Sequence, residues 1–434
     1  MPQLCLDAPV EKSQAATIQR FCVFYLFLWT VVPVFAIGTI WRVLALMAFV
    51  VWYTNAQKRG FVLNTPVKRA IGYAVLFVSV MMILNFSPRT LFKMGIAPLM
   101  LTISICIFNF YLRHPFELSP LIPFLLITLT IFNFRTSTAL TLNEHLARYI
   151  VRNSKIAFEL QQQGIGGYSM IYSQVCVCPA ILAWCRHILW ENKDKLRWII
   201  ALAWLASYAF LLVKASYSIA LFSSAISVYF IFSKKKVNVT QSALIMALIF
   251  VGMLTAIATI EPLRNFLFDV FEGTTIEKKL HDFSVMNGLA TDDRFGDRNY
   301  GSIDVRMERY MWSLGTMLKF PIIGCLFFPA RVGAHSAILD TIAIFGWLGG
   351  WLYCGMIFAV PNTLKCFFNN NLRMGPVINA TFVVILFVGL LNTIPFEVGF
   401  NMVLVNAIFM FELIRIYVNP IAVQKNAVSP ALSF

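Results

Sequence analysis

The sequence predicts an all-α integral membrane protein of about twelve transmembrane helices, with two long external loops that contain amphipathic helices. Three observations lead to this fold class. The 434 residues are 59% hydrophobic and only 13% charged, whereas soluble proteins carry about 25% charged residues. Apolar segments of spanning length recur along the chain. Forty phenylalanines and ten tryptophans suit lipid-facing and interfacial positions.

The apolar segments give the predicted order of helices, since a spanning helix needs about 20 mainly apolar residues. The candidate spans are residues 21–37, 43–55, 70–86, 96–112, 121–134, 168–188, 198–213, 218–232, 242–260, 338–358, 377–394 and 402–418. This count requires that the apolar stretch 198–232 forms two short helices with a break near Lys214.

Basic residues give the predicted orientation, because short cytoplasmic loops are enriched in lysine and arginine. With a break at Lys214, the basic clusters all fall on one side of the membrane, which is then the cytoplasmic side. The clusters are Lys58 and Arg59, Lys68 and Arg69, Arg186 to Arg197, Lys234 to Lys236, Lys365 and Arg373, and Arg415 and Lys425. Both termini are therefore predicted to be cytoplasmic.

The chain is predicted to be one polytopic membrane domain, residues 1–434, with external loops at residues 135–167 and 261–337. The first loop has apolar residues near helical spacing with basic residues opposite them, which predicts an amphipathic helix. The second loop has apolar periodicity around Met307, Met311 and Leu318, which predicts an ordered helix there.

The sequence lacks the motifs expected for nucleic-acid binding, nucleotide binding and metal binding. The net charge of +15 fits basic loops that orient the chain and meet anionic lipid headgroups, and no basic–aromatic pattern predicts a nucleic-acid partner. No Walker motif or glycine-rich nucleotide loop follows a strand. Cys176 and Cys178 lack metal-ligand spacing. We therefore predict no cofactor and no metal.

The stretch 306–351 carries the most chemically informative residues. Arg306 and Arg309 are three positions apart, so they project from similar faces of one helix. The planar guanidinium group suits phosphate oxygens, so the two arginines could bind a diphosphate; they could equally pair with acidic neighbours or lipid headgroups. His335 titrates near neutral pH and could act as a general base or as a donor to phosphate.

The order of motifs in this stretch resembles that of a known family. The motifs are Arg306 and Arg309, Trp312, a Pro-x-x-Gly turn at 321–324, His335-Ser336, Leu339-Asp340, Gly346 and Gly349. This order resembles the bacterial O-antigen and capsular polysaccharide repeat-unit polymerases and the related O-antigen ligases, which are class C type glycosyltransferases. The segment GIGGYSMIYS, residues 164–173, resembles the entry to a helix in the same polymerases.

The resemblance implies a metal-independent glycosyltransferase with a lipid-pyrophosphate-linked donor. It would join undecaprenyl-pyrophosphate-linked oligosaccharide repeat units at the outer face of the bacterial cytoplasmic (inner) membrane. Residues 261–337 would be its catalytic loop, with His335, Arg309 and Arg306 as catalytic residues. Its partners would be the lipid-linked oligosaccharides, membrane lipids, a flippase and a chain-length regulator.

Further residues are candidates for substrate binding. They are Arg148, Arg152, Lys214, Arg331 and Asp340. Arg148 and Arg152 could instead form a solvated face of the first loop. A charge such as Lys214 in an apolar region is costly and often functional, although a short external turn would let it reach water. Asp340 could orient His335, bind a sugar hydroxyl, or simply favour the first turn of a helix.

Two other functions stay open. An O-antigen ligase would use the same donor but transfer the glycan to the lipid A core; the Leu339-Asp340 pair and the segment 164–173 are more similar to polymerases. A transporter or flippase of lipid-linked glycans would show halves with matching interrupted helices and charges at the midplane. The sequence shows no internal repeat and its charges cluster in outer loops, which favours the enzyme.

Overall fold

The computed structural model describes residues 13–84, 88–142, 154–191, 194–215, 217–233, 256, 259–270, 303–326, 328, 330–368 and 371–418. This part of the chain contains sixteen α-helices. They are α1 (Gln14–Val31), α2 (Pro33–Ile37), α3 (Thr39–Lys58), α4 (Thr65–Leu84), α5 (Pro88–Tyr111), α6 (Ile122–Leu142), α7 (Ser154–Gln162), α8 (Tyr168–Glu191), α9 (Lys195–Ala215), α10 (Ser218–Phe232), α11 (Glu261–Val270), α12 (Ile303–Lys319), α13 (Ala337–Ile357), α14 (Ala359–Phe368), α15 (Met374–Leu391) and α16 (Phe396–Tyr417).

Six helical segments of the described residues are long and apolar enough to cross a membrane. They are Ser119–Leu142, which includes α6, and helices α8, α9, α13, α15 and α16. Large apolar side chains such as Phe21, Ile40 and Trp347 are more than half exposed on the outside of the bundle, as expected for a surface that faces lipid. The described part of the chain is therefore all-helical, and the protein is membrane-embedded, as its composition predicts.

Helices α8 and α16 form the centre of the bundle and are almost wholly buried. They pack against each other, while α5 packs on α16, and α10 and α15 pack on α8. Helix α16 is apolar on nearly all sides, which is typical of an enclosed helix. Its Asn401 Oδ1 accepts a hydrogen bond from Thr30 at 3.0 Å, and its Asn406 Nδ2 donates to the Cys176 carbonyl at 3.1 Å.

The remaining helices surround this centre in pairs. Helix α1 packs on α3, α4 on α5, α6 on α9, α13 on α4, and α12 on α13. A buried polar network joins α6, α8 and α9: Asn133 Nδ2 donates to Gln174 Oε1 at 3.0 Å and to Ser207 Oγ at 3.2 Å, and Trp204 Nε1 donates to Gln174 Oε1 at 3.2 Å. Buried polar groups are tolerated because they are paired in this way.

Ion pairs bring several of the predicted cytoplasmic loops together at one end of the bundle. Arg59, directly after α3, forms a two-pronged pair with the buried Glu117 before α6, with nitrogen–oxygen distances of 2.5 and 3.1 Å. Arg373, directly before α15, pairs with Glu191 at the end of α8 at 3.2 Å. We call this end, defined by Arg59, Glu117, Glu191 and Arg373, the basic end.

The described helices follow the predicted order of spans, with specific differences. Helix α9 ends at Ala215 and helix α10 begins at Ser218, so the two helices are separate, as predicted from the break expected near Lys214. Helices α11 and α14 were not predicted. Part of the predicted amphipathic helix of the first loop corresponds to α7, and the predicted span 242–260 lies outside the described residues except for its last few positions.

Helix α6 extends to Leu142, beyond the predicted end at residue 134. The polar residues that suggested a loop are satisfied within the fold. The Thr136 hydroxyl accepts a hydrogen bond from the Gly166 N–H at 2.9 Å, and the Thr138 hydroxyl donates back to the Phe134 carbonyl at 2.9 Å. A helix therefore continues where hydropathy alone predicts its end.

Candidate active site

Helix α12 carries both candidate arginines and occupies the stretch whose apolar periodicity predicts a helix. Met307 and Met311 are exposed on one face, whereas Ser313 is fully buried on the face that packs on α13. This amphipathic packing places Arg306 and Arg309 beside the segment that leads into α13.

Arg309 and His335 are in direct contact, with 2.9 Å between Nη1 of the arginine and Nε2 of the imidazole. A guanidinium nitrogen can only donate, so Nε2 is the acceptor and the neutral imidazole carries its proton on Nδ1. Burial, followed by the positive charges of Arg309 and Arg306, lowers the pKa of His335 below its ordinary value, while Asp340 opposes this shift. His335 is therefore uncharged at neutral pH.

The backbone before His335 is shaped by close approach to α12. The Gly333 N–H donates to Ser313 Oγ at 2.9 Å. A Cβ atom on Gly333 would lie 2.1 Å from the Arg309 carbonyl oxygen, so only glycine allows this approach. The next residue, Ala334, has a φ of 56°, which costs a non-glycine residue about 1–2 kcal/mol. Strained backbone of this kind is concentrated at functional sites.

Asp340 connects α12 to the loop that carries His335. Its Oδ1 accepts from Ser313 Oγ at 2.5 Å, and its Oδ2 accepts from the Ser336 N–H at 2.9 Å. The Ser336 hydroxyl caps α13 by accepting from the Leu339 N–H at 3.1 Å. Because both carboxylate oxygens are engaged within the protein, the structure favours the orienting role of Asp340 over the predicted contact with substrate.

Residues 391–393 join three parts of the site through successive backbone carbonyls. The carbonyls of these residues accept, in order, from the Tyr310 hydroxyl at 2.6 Å, the Ala337 N–H at 2.9 Å and the Tyr168 hydroxyl at 3.1 Å. Helix α15 begins beside Arg373 at the basic end and finishes at Leu391. The site that contains Arg309 and His335 therefore lies at the opposite end of the bundle.

A break inside α13 holds the turn that follows α12. Gly346 has a φ of 68°, and the Trp347 N–H, which would bond to Ala343 in a continuous helix, donates to the Pro321 carbonyl at 2.8 Å. The Ala343 carbonyl instead accepts from the Cys325 N–H at 2.9 Å. The interrupted helix thus pairs with the Pro-x-x-Gly turn on both sides of the break.

The other predicted residues lie further from the Arg309–His335 pair. The Arg331 guanidinium lies 5.4 Å from the centre of the Trp312 ring, on the exposed side of α12. The Lys214 ammonium lies 5.8 Å from the centre of the Phe210 ring at the end of α9. In the described part of the chain, neither cation contacts His335. Arg148 and Arg152 lie outside the described residues.

Sequence reasoning missed Ser313 and Gly333, which together hold the loop before His335 against α12. A serine in a helix and a glycine in a loop give no distinctive signal without the fold. The Gly333 position could have been suspected only from its place directly before the candidate histidine.

Comparisons with known proteins do not identify the family. No family model matches the chain, and no curated protein matches it. The resemblance to polysaccharide polymerases and ligases therefore stays a prediction that rests on the motifs. The site itself combines two guanidinium groups, which suit phosphate oxygens, with a neutral imidazole that can accept a proton.

Proposed function

We propose that the protein is a polysaccharide polymerase that joins undecaprenyl-pyrophosphate-linked oligosaccharide repeat units at the outer face of the bacterial cytoplasmic membrane. The observation that carries this proposal is the contact between Arg309 and a neutral His335, beside Arg306, at the end of the bundle opposite the basic end. Two arginines can stabilise the charge on a departing pyrophosphate, and a neutral imidazole can accept the proton of an attacking hydroxyl.

The proposed topology has twelve spans, with both termini in the cytoplasm. The ion pairs Arg59–Glu117 and Arg373–Glu191 gather loops with basic residues at one end, and such loops are cytoplasmic by the positive-inside rule. The Arg309–His335 pair then faces outward, where lipid-linked repeat units are available after translocation.

In the proposed reaction, a hydroxyl oxygen of the acceptor sugar attacks the anomeric carbon of the donor sugar. The new glycosidic C–O bond forms as the bond between that carbon and the phosphate oxygen breaks. The hydroxyl proton passes to His335 Nε2, and the electron pair leaves with the polyprenyl pyrophosphate, whose charge Arg306 and Arg309 stabilise. Proton transfer of this kind contributes about a hundred- to ten-thousand-fold to rate.

The contact between Arg309 and His335 also suggests an order of events. Without substrate, the arginine occupies the Nε2 lone pair that the reaction requires. A pyrophosphate offers the guanidinium a charged acceptor, and hydrogen bonds to charged acceptors are roughly twice as strong as neutral ones. Donor binding would therefore draw Arg309 away and free Nε2 to act as the base.

Purified full-length protein with defined lipid-linked repeat units tests the proposal. Glycans of two or more repeat units on one lipid are the expected product. Transfer only to lipid A core would identify a ligase, which shares the donor chemistry. Movement of the lipid-linked unit across vesicle membranes, with no new glycosidic bond, would reject the enzyme in favour of a transporter.

Cysteine labelling tests the topology. In a background without native cysteines, Ala330→Cys and Lys195→Cys place single exposed thiols near the site and near the basic end, respectively. An impermeant maleimide added outside intact cells should label Ala330→Cys alone. The reverse labelling pattern would place the Arg309–His335 pair in the cytoplasm and exclude the proposed orientation.

A further inference from the structure

Three tyrosines form a cluster beside the candidate active site. Tyr168 and Tyr172 lie one turn apart at the start of α8, and Tyr217 directly precedes α10. The ring centres are 4.3 Å apart for Tyr168 and Tyr172, 5.8 Å for Tyr172 and Tyr217, and 6.2 Å for Tyr168 and Tyr217. Rings from two distant parts of the chain thus form one aromatic surface.

This surface is connected to the active site by backbone and by charge. The Tyr168 hydroxyl donates to the Thr393 carbonyl at 3.1 Å, while the adjacent Asn392 carbonyl holds the Ala337 N–H, two residues after His335, at 2.9 Å. The positive charge of Arg306 acts on the Tyr168 and Tyr172 hydroxyls as well as on His335. The aromatic surface is therefore close to Arg306, one of the two arginines proposed to hold the pyrophosphate.

The side chain of Asn392 supplies a hydrogen-bond donor that faces the Tyr172 hydroxyl without normal hydrogen-bond geometry. It is only 8% exposed and lies against Tyr172. Its Nδ2 has no hydrogen-bond partner of normal geometry among the described residues. A buried amide group without a partner is costly and rare in native structures. A ligand with hydroxyl oxygens would provide the missing acceptor.

We infer that Tyr168, Tyr217 and Asn392 form a sugar subsite that binds a pyranose ring of the lipid-linked glycan next to its pyrophosphate. This inference rests on the proposed function. Small-molecule sites combine apolar and aromatic walls with a few convergent polar groups, and a pyranose has an apolar C–H face and hydroxyl oxygens to match them. Tyr172 is only 3% exposed, so it supports the other two rings from behind.

The pyranose could belong to the donor or to the acceptor, and steady-state kinetics distinguish these sources. In full-length protein in nanodiscs, Tyr217→Leu should raise the KM for one of the two lipid-linked substrates by roughly two- to tenfold, the scale of one lost aromatic contact. A raised donor KM assigns the donor sugar, and a raised acceptor KM assigns the acceptor sugar. Tyr217→Phe keeps the ring and should keep the KM.

Two further variants separate binding from folding. Tyr229→Leu removes an exposed tyrosine near the end of α10, the helix that Tyr217 precedes. This variant should leave both KM values unchanged. Asn392→Leu removes an amide whose Nδ2 has no partner of normal geometry among the described residues, so it should raise the same KM as Tyr217→Leu without lowering the Tm. A lowered Tm with both KM values unchanged would show that Asn392 serves packing alone and would overturn the subsite.

The subsite and the proposed function fail in different ways. If the wild-type protein makes polymer while Tyr217→Leu and Asn392→Leu keep both KM values, only the subsite is rejected. If the wild type makes no polymer, the proposed function is rejected, and saturation-transfer NMR with the soluble, lipid-free repeat-unit oligosaccharide still tests the subsite. Binding by the wild type that is lost in Tyr217→Leu would support it, and equal binding by both proteins would overturn it.

Discussion

Arg309 Nη1 lies 2.9 Å from His335 Nε2, and the two residues are 26 positions apart in the chain. The contact requires an unprotonated Nε2, since arginine offers only donors. The contact therefore joins a neutral imidazole, which can accept a proton, to a guanidinium group, which suits phosphate oxygens. Because one helix and one loop supply the two groups, their relative position depends on how α12 is held against α13.

Arg309→Ala should reduce polymer formation by at least a hundredfold, or about 2.7 kcal/mol, the scale for losing one preorganised donor at a developing negative charge. Arg309→Lys should recover only part of the activity, because lysine keeps the charge but loses the bidentate geometry. Lys319→Ala removes an exposed cation from the same helix and should retain activity. The measurement is polymer formed per unit of membrane-inserted protein. Equal activity of Arg309→Ala and Lys319→Ala would remove Arg309 from the site.

The pH dependence of turnover should reveal the base. Burial and the two arginines lower the pKa of His335 below the ordinary value of 6.5 for histidine, so the neutral imidazole persists to below that pH. The acid limb of kcat/KM should therefore lie below pH 6.5. Arg306→Gln removes one of the charges that lower this pKa and should shift the acid limb upward. An acid limb that does not move in Arg306→Gln would assign it to another group.

His335→Gln separates the two roles left open for the imidazole. Glutamine donates hydrogen bonds but accepts no proton near neutral pH. If His335 is the base, this variant should lose most of its turnover, about a hundredfold or more, while donor binding persists. Substantial turnover with weakened donor binding would instead make His335 a pyrophosphate ligand. Single-turnover kinetics with radiolabelled donor measure both quantities.

The sequence predicted the order of the described helices and the helical periodicity of α12, because both follow from local patterns. Apolar segments specify spans, and the distribution of lysine and arginine predicts a break near Lys214, close to the observed end of α9 at Ala215. The periodicity of Met307, Met311 and Leu318 likewise predicts α12. The proximity of Arg309 to His335 was implied only by the family resemblance, since their contact crosses a turn whose path no periodicity specifies.

The remaining features depend on contacts between residues that are distant in the chain. Tyr168 bonds to Thr393 across 225 positions, and neither residue has a neighbour pattern that predicts this. The role of Asp340 likewise depends on Ser313, whose buried position follows from how α12 packs on α13. The length of α6 was underestimated because hydropathy treats Thr136 as polar, whereas the fold satisfies its hydroxyl with Gly166.

Ser313→Ala should impair turnover without preventing donor binding. The change leaves Asp340 Oδ1 and the Gly333 N–H without their partner, and each buried unsatisfied group costs about 1–3 kcal/mol. The loop before His335 then loses its attachment to α12, so kcat should fall while the donor KM stays the same. Gly315→Ala lies on the same helix, with no atom within 4 Å of the added Cβ, and should retain wild-type kcat and Tm. A wild-type kcat in Ser313→Ala would show that Ser313 does not position the loop.

Gly346→Ala should abolish the pairing between α13 and the turn after α12. An alanine at a φ of 68° and a ψ of −171° would occupy a backbone region that is essentially restricted to glycine, at a cost of about 1–3 kcal/mol. Its Cβ would also lie 2.0 Å from the Ile322 carbonyl oxygen, so the turn must move.

Because alanine strongly prefers helical φ and ψ over the conformation at this break, the substitution favours a continuous α13. A continuous helix would restore the hydrogen bond from the Trp347 N–H to the Ala343 carbonyl, and the Pro321 carbonyl would lose its donor. We therefore expect polymer formation to fall sharply while the Tm changes little. Helix α13 regains a backbone hydrogen bond, whereas the turn after α12 loses its hydrogen bond to α13. Gly355→Ala is the matched control: it lies on the same helix, and its added Cβ would make an ordinary contact of 3.4 Å with Arg69. If the Gly346→Ala and Gly355→Ala proteins are equally active, the break in α13 does not hold Arg309 against His335. The position of α12 would then depend on Ser313 and residues 391–393 alone.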